Sequence, residues 1–352
     1  MPEDNLPRLF GLQHSNRDFS LRDSWGKNQF NSSFPAALCC YLHFKGYGTN
    51  YLSMIDGSFG HAEIAVPAVF RIHPTDNDIY FAFESIHTPF QQYIIGTLPR
   101  TDLVIQKRST GQCLVSLEVK LTALPDHATS QLSNENFGSE IVVRPDTIVY
   151  LACSIAKSMG DNLNNLLPSD IQINDWSETR EVLPYIEDII DSLKNISVQL
   201  EHYQSPFLLQ PIWKTVGKLP QLATNCLDVF FWSNAGFIHF ITEIAESNAG
   251  TNRITRQIRT SIWLFKMLLD IKDNGQYNHR LIIDTLSYNT KNDKAFASSG
   301  NITNRFMSSP RLGTPIIRKD EIKNIILGGG QNLLSPERRL DAIIFHSPEL
   351  FN

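Results

Sequence analysis

The sequence has few cysteines, and their spacing excludes the usual structural roles of this residue. Its 352 residues include five cysteines, namely Cys39, Cys40, Cys113, Cys153 and Cys226. The number is odd and no C-x-x-C pair occurs, so neither a disulfide framework nor a structural zinc site is indicated. The pattern is typical of reduced thiols, and we expect a cytoplasmic protein.

Long apolar runs and common ligand-binding motifs are also missing. The N-terminus is acidic and lacks the regions of a signal peptide, and no apolar run has the length of a membrane span, so we expect no membrane association. The ten histidines form no H-x-x-x-H pair of the kind that binds zinc. The glycines at 328–330 are not followed by the Lys-Ser/Thr of a phosphate-binding loop, so we expect no nucleotide partner.

The charge of the chain is unevenly distributed. The net charge of −5 does not by itself indicate nucleic acid, but residues 253–339 hold 15 of the 31 Lys and Arg residues and only 7 of the 36 Asp and Glu residues. Arg253, Arg256 and Arg259 recur every three residues and are expected on one helix face. They are candidate DNA contacts because clustered cations neutralise phosphates. The alternative is an ordinary solvated basic face.

Periodicity predicts a single α/β domain over residues 1–352. We expect a helix from about Pro35 to Gly46, strands within 62–83, a β-hairpin over 101–121, and a strand or helix after Pro145. Helical spacing dominates from about residue 176, notably over 182–203 and 254–271. Residues 274–339 are expected to be mostly loop. The catalytic core is therefore expected at about 34–160, followed by a largely helical, basic, DNA-contacting extension at about 176–345.

The hairpin is the most informative stretch of the sequence. TDLVIQK (101–107) and CLVSLEVKL (113–121) are joined by a short turn that contains glycine. Side chains alternate along a strand, so Glu118 and Lys120 share the face opposite the apolar set. Asp102 heads the preceding strand, and the hairpin can place it near Glu118.

Two carboxylates and a lysine in this arrangement suit phosphodiester hydrolysis. Asp102 and Glu118 can hold Mg²⁺ by oxygen ligation, with the Val119 carbonyl as a further ligand. Lys120 can orient the attacking water and offset charge in the transition state. The alternative is a surface Glu–Lys pair on a half-exposed strand. Two other short motifs, Glu321-Ile322-Lys323 and Asp270-Ile271-Lys272, lack a surrounding strand pattern and a preceding aspartate.

The D…ExK hairpin resembles the core of the PD-(D/E)xK nucleases, although Pro99 stands three residues before Asp102 instead of next to it. The segment at 10–42, which contains FGLQHSNRDFS and WGKNQFNSSFPAALCCYL, is similar to the HindVP-type type II restriction endonucleases. The resemblance implies a restriction-endonuclease-like core, in which helices flank a central mixed sheet. It also implies a bacterial homodimer that cuts double-stranded DNA with Mg²⁺ at a short palindromic site, of the GRCGYC type in relatives.

Further site residues and functions remain open at this point. Some enzymes of this class use an extra carboxylate, and the candidates in this sequence are Glu84, Glu63 and Glu140. Asn28 and Gln29, with Asn16, Arg17 and Lys27, either touch DNA bases or cap the fold. Besides a type II restriction endonuclease, the pattern allows a structure-specific repair or recombination nuclease, or a non-catalytic DNA-binding protein.

Overall fold

A mixed sheet of seven strands forms the centre of the molecule. The computed structural model describes residues 14–17, 27–44, 46, 48–120, 141–212, 228–250, 252–290, 295–298 and 306. The order of the strands in the sheet is β2-β1-β8-β7-β5-β4-β3. They are β1 (Thr49–Ile55), β2 (Ser58–Ile64), β3 (Ile79–Ser85), β4 (Thr101–Lys107), β5 (Cys113–Val119), β7 (Pro206–Ile212) and β8 (Asp228–Ser233). A separate pair joins β6 (Ile141–Val143) to β9 (Phe296–Ser298).

Helices pack against this sheet and against one another. They are α1 (Lys27–Phe44), α2 (Val66–Phe70), α3 (Pro145–Met159), α4 (Thr179–Val182), α5 (Ile186–Leu200), α6 (Asn234–Glu246), α7 (Arg256–Asn274) and α8 (His279–Thr285). Helices α3, α5, α6 and α7 contact each other, and their buried side chains join one large apolar cluster. Helix α6 lies directly on β1, where a Cβ at Gly236 would stand 2.6 Å from the Leu52 carbonyl oxygen. The flanked mixed sheet agrees with the predicted α/β class.

Two local predictions need correction, and one open alternative is resolved. The first helix begins at Lys27, and Pro35 lies inside it instead of at its start. Residues 66–70 form a short helix, not a strand, with Pro67 in the first turn, where its missing N–H is tolerated. The segment after Pro145 is a helix, and Pro145 itself opens it.

The predicted helical extension is wrong in one main respect. Strands β7 and β8 belong to the second half of the chain, yet they lie between β1 and β5 in the sheet. β5 pairs in parallel with β7, and β1 pairs in parallel with β8. The second half of the chain therefore completes the sheet that carries the hairpin. Most of 274–339 after Thr290 lies outside the described residues.

Across the part of the chain that the structure describes, no helix has the length and apolar character needed to cross a membrane.

Candidate active site

Three neighbouring strands carry carboxylate residues at one level of the sheet. β4 pairs antiparallel with both β3 and β5. In the pairing of β3 with β4, Glu84 falls level with Asp102, because the residues on either side of them are paired. In the pairing of β4 with β5, Asp102 falls level with Glu118. The two pairings thus align three acidic side chains across β3, β4 and β5.

Asp102 is fixed by the neighbouring strand. Its Oδ2 atom accepts a hydrogen bond of 2.7 Å from the backbone N–H of Val119. This contact orients the carboxylate beside Glu118 and leaves the Val119 carbonyl at the same end of β5. The role of the Val119 carbonyl as a further metal ligand stays a prediction.

Glu118 is held by hydrogen-bond donors on two sides. Its Oε1 atom accepts from the Lys120 ammonium and, at 2.8 Å, from the Thr147 hydroxyl of α3. Its Oε2 atom lies 3.4 Å from the Thr101 hydroxyl. Lys120 follows β5 directly, and its backbone N–H donates to the Leu209 carbonyl at 3.0 Å, so β7 fixes the position of the lysine.

The surroundings of Asp102 disfavour its ionisation. The pKa of Asp102 is raised from 3.8 to about 7, mainly by burial and next by the negative charge of Glu118. The Lys120 charge and the Val119 N–H lower this pKa and offset only part of the rise. A buried pair of like charges is the situation that a bound divalent cation relieves.

The donor set fits a hard divalent ion with few protein ligands. Among the described residues, no group of three or more His, Cys, Asp or Glu side chains converges in the geometry of a metal cluster. Mg²⁺ does not need such a cage, because it keeps several waters and commonly takes only one or two carboxylates. Asp102 and Glu118 are the two carboxylates that could hold such an ion.

Glu84 occupies an unusual position at the end of β3. Its φ angle is +48°, a left-handed value that is rare for a side chain other than Gly, Asn or Asp. Its carboxylate forms a salt bridge of 3.0 Å with Arg17, and its charge contributes to the raised pKa of Asp102. Of the other two candidates, Glu63 lies on β2 at the opposite edge of the sheet, and Glu140 lies outside the described residues.

The segment around Asn16 covers the edge of β3. The Asn16 side chain exchanges hydrogen bonds with the backbone of Phe83 at 2.8 and 2.9 Å, and Ser15 forms a bridge with Phe81. Asn16 and Arg17 therefore cap the fold, which was one of the two predicted alternatives. Asn28 and Gln29 lie in α1, and their side chains, like residues 18–26, are outside the described set.

Two residues of α3 were missed by the sequence reading. Thr147 binds Glu118, as described above. Asp146, in the first turn of α3, has its pKa raised by burial and by the charge of Glu118, and lowered by that of Lys120. The Arg144-Pro145-Asp146 helix start was visible in the sequence, but nothing local indicated that it faces the hairpin.

The three arginines predicted to share a DNA-binding face do not share it. Arg253 precedes α7 and is exposed, whereas Arg259 is fully buried. The Arg259 guanidinium lies over Trp263, 4.3 Å from the ring centre, and donates to the carbonyls of Ser287, Thr290 and Ala295. Its prediction as a DNA contact is wrong, because the fold uses its charge internally. Arg256 is half-buried at the start of α7.

Comparison with known proteins identifies the family. The model of the HindVP restriction endonucleases matches residues 25–351. The chain belongs to this family. It is 52% identical over 347 residues to a protein of Haemophilus influenzae described as a probable type II restriction enzyme HindVP, and the match covers 98% of this chain and 95% of the relative. It is 44% identical over 351 residues to the type II restriction enzyme HgiDI of Herpetosiphon aurantiacus, covering 99% and 98%.

No solved structure matches this chain. The HindVP-type resemblance predicted from residues 10–42 is confirmed by the family match. The descriptions of these relatives support the conclusion that this chain is a site-specific endonuclease that acts on double-stranded DNA.

Proposed function

We propose that this protein is a Mg²⁺-dependent type II site-specific deoxyribonuclease in which Asp102, Glu118 and Lys120 perform the cleavage. The observation that carries the proposal is the alignment of Asp102 with Glu118 on the hairpin, with the Lys120 ammonium bound to Glu118. Family membership supports the restriction activity, and the hairpin supports the roles of these residues.

Asp102 and Glu118 would hold the Mg²⁺ ion, with the Val119 carbonyl as a further ligand. When bound, the ion supplies positive charge that polarises the scissile phosphate and makes a nearby water more acidic. Lys120 orients the attacking water from its fixed place at the end of β5 and offsets negative charge at phosphorus. In-line attack with departure of the 3′ oxygen leaves a 5′-phosphate. Glu84 is proposed as the extra carboxylate, since its register places it next to Asp102.

The proposed substrate is duplex DNA with a short palindromic site, GRCGYC-like as the resemblance implies. A homodimer would match it, because two-fold protein symmetry mirrors the symmetry of such a site. We place this activity in the bacterial cytoplasm, where the DNA is.

The proposal is tested by incubating the protein with plasmid DNA in Mg²⁺ and sequencing the ends of the products. We expect discrete fragments, one repeated sequence at every cut, and ends that DNA ligase rejoins because they carry 5′-phosphates. Cutting only at junctions or lesions would instead indicate a structure-specific repair nuclease. Binding without any cutting, in every divalent metal tried, would indicate a non-catalytic DNA-binding protein.

A further inference from the structure

A small open cavity lies beside the hairpin and has no part in the chemistry proposed above. Its volume is about 300 Å³. One wall is the 97–99 segment that leads into β4, the second is the first turn of α3 with Asp146, and the third is α8 with His279, Arg280 and Asp284. This volume is at the lower end of the range of small-molecule sites, about 300–1,000 Å³.

The walls of the cavity are fixed by tertiary contacts. The Tyr150 hydroxyl of α3 donates to the Pro99 carbonyl at 2.7 Å. The Ile95 N–H donates to the Tyr277 carbonyl, and the Tyr277 N–H donates to the Tyr93 carbonyl, each at 2.9 Å. These backbone bonds hold the start of α8 against the segment before β4. The cavity is therefore a built feature of the fold.

The cavity adjoins the proposed catalytic residues. Pro99 is three residues from Asp102, which corresponds to roughly 10 Å of extended chain. On the α3 side, Asp146 directly precedes Thr147, whose hydroxyl donates to Glu118 at 2.8 Å. Base pairs follow one another by about 3.4 Å in a duplex. A duplex that has its scissile phosphate at Asp102 and runs towards the cavity would reach it within about three base pairs.

The side chains of the cavity offer both donors and acceptors. Arg280 and Asp284 are four residues apart, so they share one face of α8. Both are exposed, and neither side chain forms a hydrogen bond or salt bridge within the described part of the chain. His279 is 5% exposed, and its Nδ1 atom is buried without a hydrogen-bond partner. A buried polar atom without a partner is destabilising, and a ligand that binds it removes that penalty.

This mixture of groups selects among ligand classes. Two carboxylates, Asp146 and Asp284, would repel a phosphate, and the Arg280 guanidinium would repel a metal ion. A nucleobase edge presents donors and acceptors together. Arginine pairs with the O6 and N7 atoms of guanine, and aspartate accepts from the amino group of cytosine.

We propose that this cavity reads a base pair of the recognition sequence, with Arg280 and Asp284 as specificity-determining residues and His279 as a supporting polar contact. The charges of Arg280 and Asp284 favour a C·G pair. The proposal rests on the proposed nuclease function, since it requires a duplex bound across the hairpin.

The test uses the cleavage site mapped on plasmid DNA. Short duplexes carry that site, or the site with one base pair changed at a time, and cleavage rates in Mg²⁺ are compared for the wild type, Arg280→Ala and Asp284→Asn. Arg180→Ala and Asp188→Asn are matched controls, because both residues are exposed and neither lines the cavity. For a variant that cuts too slowly to measure, the binding affinities for the same duplexes without Mg²⁺ are compared instead.

We expect Arg280→Ala to lower cleavage of the mapped site about 10- to 100-fold and to lose discrimination at one base-pair position only, as for a lost base contact. Asp284→Asn should relax the same position or its neighbour, and both controls should behave like the wild type. A uniform loss over all duplexes with a weaker salt dependence would assign Arg280 to a phosphate and overturn the proposal. Unchanged preferences in both variants would also overturn it. If the wild type cuts no DNA at all, the proposed function fails instead.

Discussion

The Asp102 carboxylate accepts a hydrogen bond of 2.7 Å from the Val119 N–H, and this contact joins the beginning of β4 to the end of β5. It sets the carboxylate beside Glu118, so that two acidic groups lie close together. The Lys120 ammonium contacts this pair from the Glu118 side. The arrangement orients Asp102, but it also makes ionisation of Asp102 unfavourable. Binding of a divalent ion would reverse that effect.

We expect Asp102→Asn to lower the cleavage rate by about three orders of magnitude, because a metal ligand supports several kcal/mol of transition-state stabilisation. The amide keeps the shape of the side chain and the Val119 contact, so folding should be unaffected. Single-turnover cleavage measures the rate, and circular dichroism measures the fold. Asp170→Asn is the matched control on an exposed aspartate. Full activity in Asp102→Asn would remove this residue from the proposed site.

Stability without metal should depend on pH through Asp102. Its pKa is 3.8 in the unfolded chain and about 7 in the fold, so the folded state binds the proton more tightly. The free energy of unfolding should therefore fall as pH rises from about 4 to about 7, at up to about 1.4 kcal/mol per pH unit. Comparison of urea unfolding with Asp102→Asn isolates this contribution, since the variant lacks the titrating group.

The same titration predicts the pH dependence of metal binding. Mg²⁺ requires the ionised carboxylate, so binding should release a proton and weaken as pH falls below about 7. The increase in melting temperature caused by Mg²⁺ should be larger at pH 8 than at pH 6 in the wild type. A shift of equal size at both pH values would contradict a role for Asp102 as ligand.

Lys120 should affect both catalysis and stability. Lys120→Met is expected to lower cleavage about 10²- to 10⁴-fold, the range of a lost proton-transfer or positioning group. It should also lower the melting temperature without metal, because Glu118 stays buried after losing its cation. Mg²⁺ should restore part of that stability, since it replaces the missing charge. Lys107→Met, at the other end of β4, is the control and should show neither effect.

The hairpin was predictable because its information is local. Alternating apolar residues and a short glycine-containing turn fixed the strand bounds, and the register then determined that Asp102 stands level with Glu118. Strands β7 and β8 were not predicted, since the apolar run from Val229 to Trp232 has no period that separates a buried strand from a helix.

The rest of the site depends on contacts between distant parts of the chain. Thr147 reaches Glu118 only because α3 packs beside β4, and Arg17 reaches Glu84 across the edge of β3. Arg259 shows the opposite error, since spacing along a helix indicates which residues share a face but not whether that face is buried.

Glu84→Gln tests the extra carboxylate. We expect cleavage to slow about 10- to 100-fold at low Mg²⁺, the usual effect of a residue that supports a metal site, and to recover partly at high Mg²⁺. Glu63→Gln, on the opposite edge of the sheet, should have no effect. The Mg²⁺ concentration needed for half-maximal cleavage is the measurement. If it is the same in both variants, Glu84 serves only to bind Arg17.

Arg259 should stabilise the fold without contributing to DNA binding. Arg259→Met removes the hydrogen bonds to Ser287, Thr290 and Ala295 and the contact with Trp263, and should lower the free energy of unfolding by about 3 kcal/mol. Arg180→Ala, on the exposed surface, should change it by less than about 0.5 kcal/mol. Urea unfolding measures both. At urea concentrations too low to unfold the variant, Arg259→Met should bind DNA with the salt dependence of the wild type. The reason is that a buried guanidinium releases no counterions from phosphates. A reduced salt dependence in this variant, with unchanged stability, would return Arg259 to the DNA interface.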